Sequence, residues 1–316
     1  MSETSILSVP PEHPGLAVAP RSLIDQEAFR RLAEVPPEVE WFANLSSAAT
    51  RRAYETALQD FRRFVGLREV SDFRRVTRAH VIAWRDDLVA RTLSGSTVRH
   101  RLAALSSLFE YLCEKNAVTH NPVKGVRKNK EKPRDFYADD AVWSAVYAAA
   151  CIELQDAMDL NYLTGQRPAD VLKMRLADIK DGVIEVQQNK TKKKLRILLD
   201  DEGVRTELGK VIDRIKARER KVASLFLIAT PAGTALNQWT LRTRFDDARA
   251  AAAKAAAAAG DDALAARIRA FQFRDIRPKA ASEMDLEHAS KLLGHTEHEI
   301  TEKVYRRVGE TVKPTK

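Results

Sequence analysis

The sequence predicts a mainly helical chain of two domains with one small β-hairpin. Three observations carry that expectation. The 316 residues suit two domains of ordinary size. Apolar residues recur at helical spacing from Ser47 onward, with Ser, Thr and Gly where helix ends need them. One segment, GVIEVQQNKTKKKLRILLD, instead reads as two strands around a polar, lysine-rich turn.

Residues 1–46 form an acidic arm with Pro10, Pro11, Pro14, Pro20, Pro36 and Pro37. A short helix is expected from Asp25 to Ala33, and extended chain elsewhere. The arm is expected to contact another protomer or to lack fixed structure. In residues 47–123, Tyr54, Leu58, Phe61 and Val65 mark one helix face, closed by Gly66. Thr77 caps a second helix carrying Val81, Trp84 and Leu88. Ser96 in SGST starts a third, followed by Val98, Leu102, Leu105, Phe109 and Leu112, and Asn121-Pro122 ends the domain. Its polar faces hold Arg51, Arg52, Arg62, Arg63, Arg99 and Arg101. Residues 124–135 form a linker with Lys124, Arg127, Lys128, Lys130, Lys132 and Arg134.

Residues 136–316 form the second domain. Helical pattern covers roughly 139–163 and 167–176, the two strands follow, and helix resumes from Glu202 to about Ala223. Leu225–Ile228 suits a short strand. The alanine-rich stretch from Ala248 to Ala270, interrupted at Gly260-Asp261-Asp262, reads as a helical hairpin. Alanine buries little area, so this hairpin is expected to be peripheral.

Lys plus Arg number 53 and Asp plus Glu 44, a net charge of +9. The excess is local: residues 1–46 carry −4, residues 47–134 carry +10 and the remainder +3. The middle block is an electrostatic footprint for a polyanion, above all the phosphates of nucleic acid. No apolar run approaches the roughly 18 residues of a membrane span, and the N-terminus lacks a secretory pattern. Cys113 and Cys151 are too few for a disulfide framework or a cysteine-rich zinc site. Both are expected to be buried thiols.

Four signals in the second domain carry chemistry. TGQRPADVLKMRLADI sets Arg167 at a helix start, where anions are favoured. QNKT puts Lys190 at the hairpin tip. FRDIRPKAAS places Arg274 and Arg277 three apart, on one face if helical. LLGHTEHEITEKVYRR brings His295 and then Tyr305. Each residue alone has an ordinary reading: Arg167 as a salt bridge to Asp170, Lys190 as one lysine of a solvated turn, Arg274 and Arg277 as partners of Asp275 or Glu283. His295 reads equally as a core histidine and Tyr305 as an amphipathic helix residue. Together they lack a metal-binding carboxylate cluster, a glycine-rich phosphate loop and a Ser-His-Asp set. Arginine forks match phosphodiester oxygens. A tyrosine hydroxyl can attack phosphorus, its pKa lowered by adjacent cations, and a lysine can protonate the departing oxygen. The set suits metal-free phosphoryl transfer from DNA to tyrosine.

On these motifs the chain resembles the tyrosine recombinase (phage integrase) family from about residue 41 onward. The resemblance implies a two-domain architecture, a helical core-binding domain plus a mixed α/β catalytic domain. It implies that Arg167, Arg277, His295 and Tyr305 match the two catalytic arginines, the histidine and the nucleophile. Lys190 matches the general-acid lysine of the hairpin, and Asp170 the acidic residue three places after the first arginine. Two departures stand out. Arg274 replaces the usual histidine of the His-x-x-Arg box, keeping a cation but losing a proton acceptor. Tyr305 lies ten residues after His295, one more than is common, which implies a longer or bulged approach to the nucleophile. Tyr162 is a poor rival nucleophile because it sits in the apolar pattern before Thr164.

The resemblance implies a site-specific DNA recombinase that needs no cofactor, metal or ATP. Its partners are double-stranded DNA recombination sites and further copies of itself, a dimer per site and a tetramer on two paired sites, with an accessory DNA-bending factor as a further candidate and with no membrane. The expected setting is the cytoplasm, on nucleoid or mobile-element DNA. The segment RRVGETVKPTK after Tyr305 is expected to dock on a neighbouring protomer. Two other readings stay open: a non-catalytic DNA-binding or architectural protein on the same scaffold, and a type IB topoisomerase-like nicking-closing enzyme.

Overall fold

The computed structural model describes residues 35–127, 134–294, 298–305 and 307. The chain divides into two compact units, Met1–Lys132 and Pro133–Lys316. The expected helix at Asp25–Ala33 lies outside the described residues.

The first unit is helical: α1 Pro37–Asn44, α2 Ala48–Val65, a 3-10 turn Val70–Arg75, α3 Arg78–Ala90 and α4 Gly95–Glu114. Ser47 accepts a hydrogen bond from the Thr50 amide to start α2, and Gly66 ends it in the left-handed region at φ 78°. Helix α4 starts two residues earlier than the sequence predicts. Ser94, rather than Ser96, accepts from the Thr97 amide at 3.2 Å, leaving Gly95 as the first helical residue. Phe61, Val81, Trp84, Leu88, Leu102, Leu105 and Phe109 fill the core. Full burial of each such large side chain contributes about 1.5–3 kcal/mol relative to exposure. The packed chain runs past Asn121-Pro122, because Val123 and Val126 also enter the core. Asn121 braces this exit by donating to the Ser106 carbonyl and accepting from the Val123 amide at 2.9 Å.

A polar knot closes the same unit. Asp60 accepts from Trp84 Nε1 at 3.0 Å, from Arg91 in a two-pronged pair at 3.0 and 2.8 Å, and from Arg101 at 2.6 Å. The Arg91 hydrogen bonds lead the other cationic and indole contacts in outweighing burial, and the Asp60 carboxyl is pulled down to about 2.

The second unit begins with α5 Asp140–Ala149 and α6 Ile152–Thr164. The single helical stretch the sequence predicts here is broken at Ala150-Cys151, where Cys151 sits exposed as the cap of α6. Cys113 is half-buried, so the expectation of two buried thiols is corrected. After the short α7 Pro168–Val171 comes an antiparallel sheet in the order β1-β2-β3: Ile179–Lys180, Val183–Gln187 and Lys194–Leu198. In the hairpin Ile184 faces Ile197 and Gln187 faces Lys194. A small ribbon, β4 Asp200–Asp201 with β5 Val204–Arg205, occupies the start of the expected Glu202–Ala223 helix. That helix, α8, runs only from Glu207 to Ala217 behind a Thr206 cap. Residues 225–228 contribute an isolated bridge, Arg175 to Phe226, rather than a strand.

The alanine-rich hairpin is α9 Gln238–Ala258 and α10 Asp262–Ala270. It is not peripheral. Ala248, Ala252, Ala253, Ala256 and Ala265 are buried in the main core against α5. Small side chains let the helices approach closely, and the contacts so formed replace the area alanine lacks. The unit ends with a 3-10 turn Phe273–Asp275, α11 Ile276–Ser282, α12 Leu286–Leu293, a short α13 His298–Ile300 and a π turn Thr301–Tyr305. Among the described residues no helix is long and apolar enough to cross a membrane.

Candidate active site

The site of the second unit is built where α6 and α12 end. Gly165 terminates α6 at φ 60°, and a Cβ there would come within 3.2 Å of the Leu293 side chain. Gly294 terminates α12 at φ 71°, and a Cβ there would meet Gln188 Nε2 at 2.6 Å. Both positions therefore favour glycine for conformation, and Gly294 also for space. Arg277, only 3 % exposed, ties the two ends together. It donates through Nη1 to the Gly165 carbonyl and through Nη2 to the Leu293 carbonyl at 2.8 Å. Burial pushes the guanidinium down to about 10, with the neighbouring Tyr305 opposing the shift. It still holds its proton at neutral pH.

Tyr305 lies beside it. The ring sits 5.0 Å from the Arg277 guanidinium, in the same subunit. It packs against a small cluster of Ala281, Ala289 and Leu293. Ser282 anchors the backbone there, donating to the Tyr305 carbonyl at 3.4 Å and accepting from the Arg307 amide at 2.7 Å. The extra residue between His295 and Tyr305 coincides with the π turn that ends at Tyr305, the helix form that accommodates an insertion. His295 itself lies outside the described residues.

Arg167 caps α7. The two arginines of the box sit in different surroundings, Arg277 buried and Arg274 exposed on the 3-10 turn. Arg274 and Arg167 line one open cavity of about 640 Å³, together with Arg242, Arg249 and Gln238 of α9. Beneath Arg274, Asp275 is held by Arg134 in a two-pronged pair at 2.8 and 2.6 Å and accepts from the Gln272 amide.

The hairpin tip is fastened from two sides. Asp170, buried, accepts from the Asn189 amide at 2.7 Å. The ordinary reading of Arg167 as a salt bridge to Asp170 does not hold: Asp170 makes this contact and pairs with Lys173 at 3.7 Å. On the other side the buried Gln188 joins the ends of α6 and α12. Lys190 projects exposed from the turn.

The structure thus brings Arg277 to Tyr305, Arg167 to Arg274, and Asp170 to the Lys190 turn. Tyr162 is spent elsewhere: its hydroxyl donates to Glu283, and burial with that contact pushes it up to about 12. Of the basic residues expected on DNA, Arg51, Arg52, Arg63, Arg99, Lys124 and Arg127 are exposed. Arg62 is half-buried and donates to the Arg68 carbonyl. Arg101 and Arg134 are committed to Asp60 and Asp275. Lys128, Lys130 and Lys132 lie outside the described residues. Sequence reasoning missed Gln166, Gln188, Ser282, Arg242 and Arg249. The only written signal was that Gln166 and Gln188 stand next to or near the motif residues Arg167 and Lys190.

Comparison with known proteins bears on the family and the fold. The model of the Phage integrase family matches residues 140–311, and that of the Phage integrase N-terminal SAM-like domain matches residues 40–116. The tyrosine recombinase XerC of Listeria innocua is 30% identical over 141 residues, covering 42% of this chain and 47% of the relative. The integrase of Escherichia phage HK022 is 31% identical over 149 residues, covering 46% and 41%. The matches thus span about half or less of those relatives' lengths. In fold, the chain is similar to a lambda integrase dimer bound to a COC' core site, with TM-score 0.69, 19% identity, and 92% and 98% of the two chains covered. It is also similar to the Tn1549 transposon integrase in complex with transposon right end DNA, with TM-score 0.62, 14% identity, and 86% and 95% covered.

Proposed function

This chain belongs to the phage integrase family, and on that premise we propose that it is a site-specific recombinase that cleaves and rejoins DNA through Tyr305. The observation that carries the reading is the Tyr305 ring against the buried Arg277 guanidinium within one subunit. Arg167 and Arg274, which share an open cavity, take the non-bridging oxygens of the scissile phosphate. With Arg277 they offset the charge that grows in the transition state. Arg277 suits this role because the Gly165 and Leu293 carbonyls hold its fork in a fixed orientation beside the Tyr305 ring.

The Tyr305 hydroxyl gives up its proton to water as its oxygen bonds to phosphorus, the bond from phosphorus to the 5′ oxygen breaks, Lys190 supplies the proton that oxygen takes, and Lys190 is reprotonated from water. His295 completes the set. The product is a 3′-phosphotyrosyl link and a free 5′ hydroxyl, and a hydroxyl from a partner duplex reverses the step. The scheme calls for neither ATP nor a metal. Residues 47–123 and the 124–135 linker serve as the DNA-binding part and residues 136–316 as the catalytic part. Two protomers act per site and four on a pair of sites, in the cytoplasm. The DNA-bound dimer and a lambda integrase tetramer bound to a Holliday junction, similar in fold at TM-score 0.69, support that stoichiometry.

A nicked duplex that loses its short 5′ fragment on cleavage tests the reading. The wild-type chain is expected to trap a covalent adduct, and Tyr305→Phe to abolish it while leaving DNA affinity nearly intact. Binding of the authentic site without any adduct would reduce the protein to a DNA-binding factor. Relaxation of a plasmid lacking paired sites, by monomers, would make it a nicking-closing enzyme instead.

A further inference from the structure

We propose that Gln188 is a positioning residue that sets the proton-donating hairpin against the arginine pocket. The proposal rests on the recombinase reading above and adds the device that aims Lys190.

Lys190 is exposed, and its side chain makes no hydrogen bond or ion pair among the described residues. Its placement is therefore inherited from the backbone of the turn. Gln188 closes that turn: its amide donates to the Lys193 carbonyl at 2.9 Å, and its carbonyl accepts from the Lys192 amide at 3.0 Å. Its side chain is 0 % exposed and reaches out of the hairpin. Oε1 accepts from Arg167 Nη1 at 3.4 Å and from Thr191 Oγ1 at 2.5 Å. Nε2 donates to Gln166 Oε1 at 2.8 Å and to the Leu293 carbonyl at 2.9 Å.

A primary amide offers two acceptor and two donor positions, and here all four are used. They are divided among the Arg167 segment, the Lys190 turn and the helix end that leads into His295. Arg277 donates to the same Leu293 carbonyl. One buried amide thus fixes the distance between the cation that holds the phosphate and the cation that protonates its leaving oxygen. Glutamate in this position loses both donors, and methionine loses all four hydrogen bonds at nearly unchanged volume. Asp170 holds the turn from its other side through the Asn189 amide, so loss of Gln188 loosens the tip without freeing it.

The test compares two leaving groups. A duplex selected by the protein itself from a random-sequence library is nicked beside the cleavage point and made with either a 5′ oxygen or a 5′ sulfur at the scissile bond. A thiolate leaves without taking a proton, so it bypasses Lys190. With oxygen, Gln188→Met should cleave about 10- to 100-fold more slowly than wild type at saturating DNA, with unchanged DNA affinity. With sulfur, most of that deficit should vanish. A wild-type rate on oxygen overturns the proposal, and so does an equal deficit on both substrates, which would mean that Gln188 serves the fold or the arginines alone. If Gln188→Met does not fold, Thr191→Val removes one of the four bonds from an exposed turn residue. It should show a smaller deficit of the same leaving-group dependence, and full activity on oxygen overturns the proposal. Failure of the wild-type chain to form any adduct brings down the recombinase reading itself, whereas an adduct from wild type with an unimpaired variant removes only this inference.

Discussion

Arg101 in the helical unit and Arg277 in the other unit are both drawn into a folded interior, and they meet opposite surroundings. Arg101 ends on Asp60, a carboxylate already shared with Arg91 and with the Trp84 indole. Arg277 ends on the carbonyls of Gly165 and Leu293, with an aromatic ring at its side. Both guanidinium groups are hydrogen-bonded through their terminal nitrogens. The first is answered by a carboxylate. A carboxylate partner cancels the field that would attract a phosphate, whereas carbonyl dipoles satisfy geometry and leave the net charge in place. On the proposed function, the same residue type is a staple in one unit and an anion seat in the other.

The sharpest way to break this comparison is to remove the fork from Arg277 while keeping its charge. Arg277→Lys retains a cation but supplies no planar pair of donors to span two carbonyls. Single-turnover cleavage of the nicked duplex is expected to fall by about 100- to 1000-fold, with DNA affinity changed far less. If the lysine variant cleaves at the wild-type rate, bare charge suffices and the carbonyl cradle has no bearing on chemistry.

Asp60→Asn is expected to act on stability, and on DNA affinity only through the Arg91 and Arg101 cations it now answers. The folded carboxyl sits at about 2 against an ordinary 3.8, so it is depressed by its partners. Such a group stabilises the fold fully above its unfolded pKa and loses that contribution as pH falls from about 4 toward 2. The difference amounts to about 2 kcal/mol. Urea unfolding of the whole chain, followed through tryptophan fluorescence, should show that loss for Asp60→Asn at pH 7. The wild type should move toward the variant as the medium is acidified below pH 4. Cleavage per folded molecule should stay unchanged, and a drop in it would mean that the knot also serves catalysis.

The difference between the two arginines explains how much was legible beforehand. Helices follow from periodicity and caps, which are local, so α2, α3 and the hairpin appear where Tyr54, Thr77 and the QNKT turn place them. The family follows from motif order. What pattern does not carry is the partner of a long polar side chain. Arg101 and Arg99 look alike on α4, yet Asp60, brought in from another helix, captures one of them. Arg134 reads as part of a basic linker and is instead clamped to Asp275, 141 positions on. Gln166 and Gln188 read as turn polarity, and their burial depends on two helix ends meeting. The alanine-rich hairpin was misjudged for a related reason: small side chains signal weak burial in isolation, but their value arises only once a facing helix is close. The break at Ala150-Cys151 was missed because nothing local contradicts a continuous helix there, whereas the ribbon before Glu207 did carry local signals, Gly203 as a breaker and Thr206 as a cap.

The smallest expected effect probes the comparison on the surface of the helical unit. Arg63 is exposed, and its Nε donates to the Gln59 carbonyl at 3.3 Å, a neutral partner like the two carbonyls that hold the Arg277 fork. Arg101 has its carboxylate. If neutral partners leave a cation available to phosphate, Arg63→Gln should shrink the slope of log affinity against log salt by about 0.9, the share of one released counterion contact. Arg101→Gln should leave the slope as it was and lower only the unfolding midpoint, because its charge was already answered inside the protein. Both variants change net charge by the same amount, so a nonspecific long-range effect would move both slopes alike. Equal shifts would therefore show that total charge, rather than the identity of each arginine's partner, governs how this unit meets DNA.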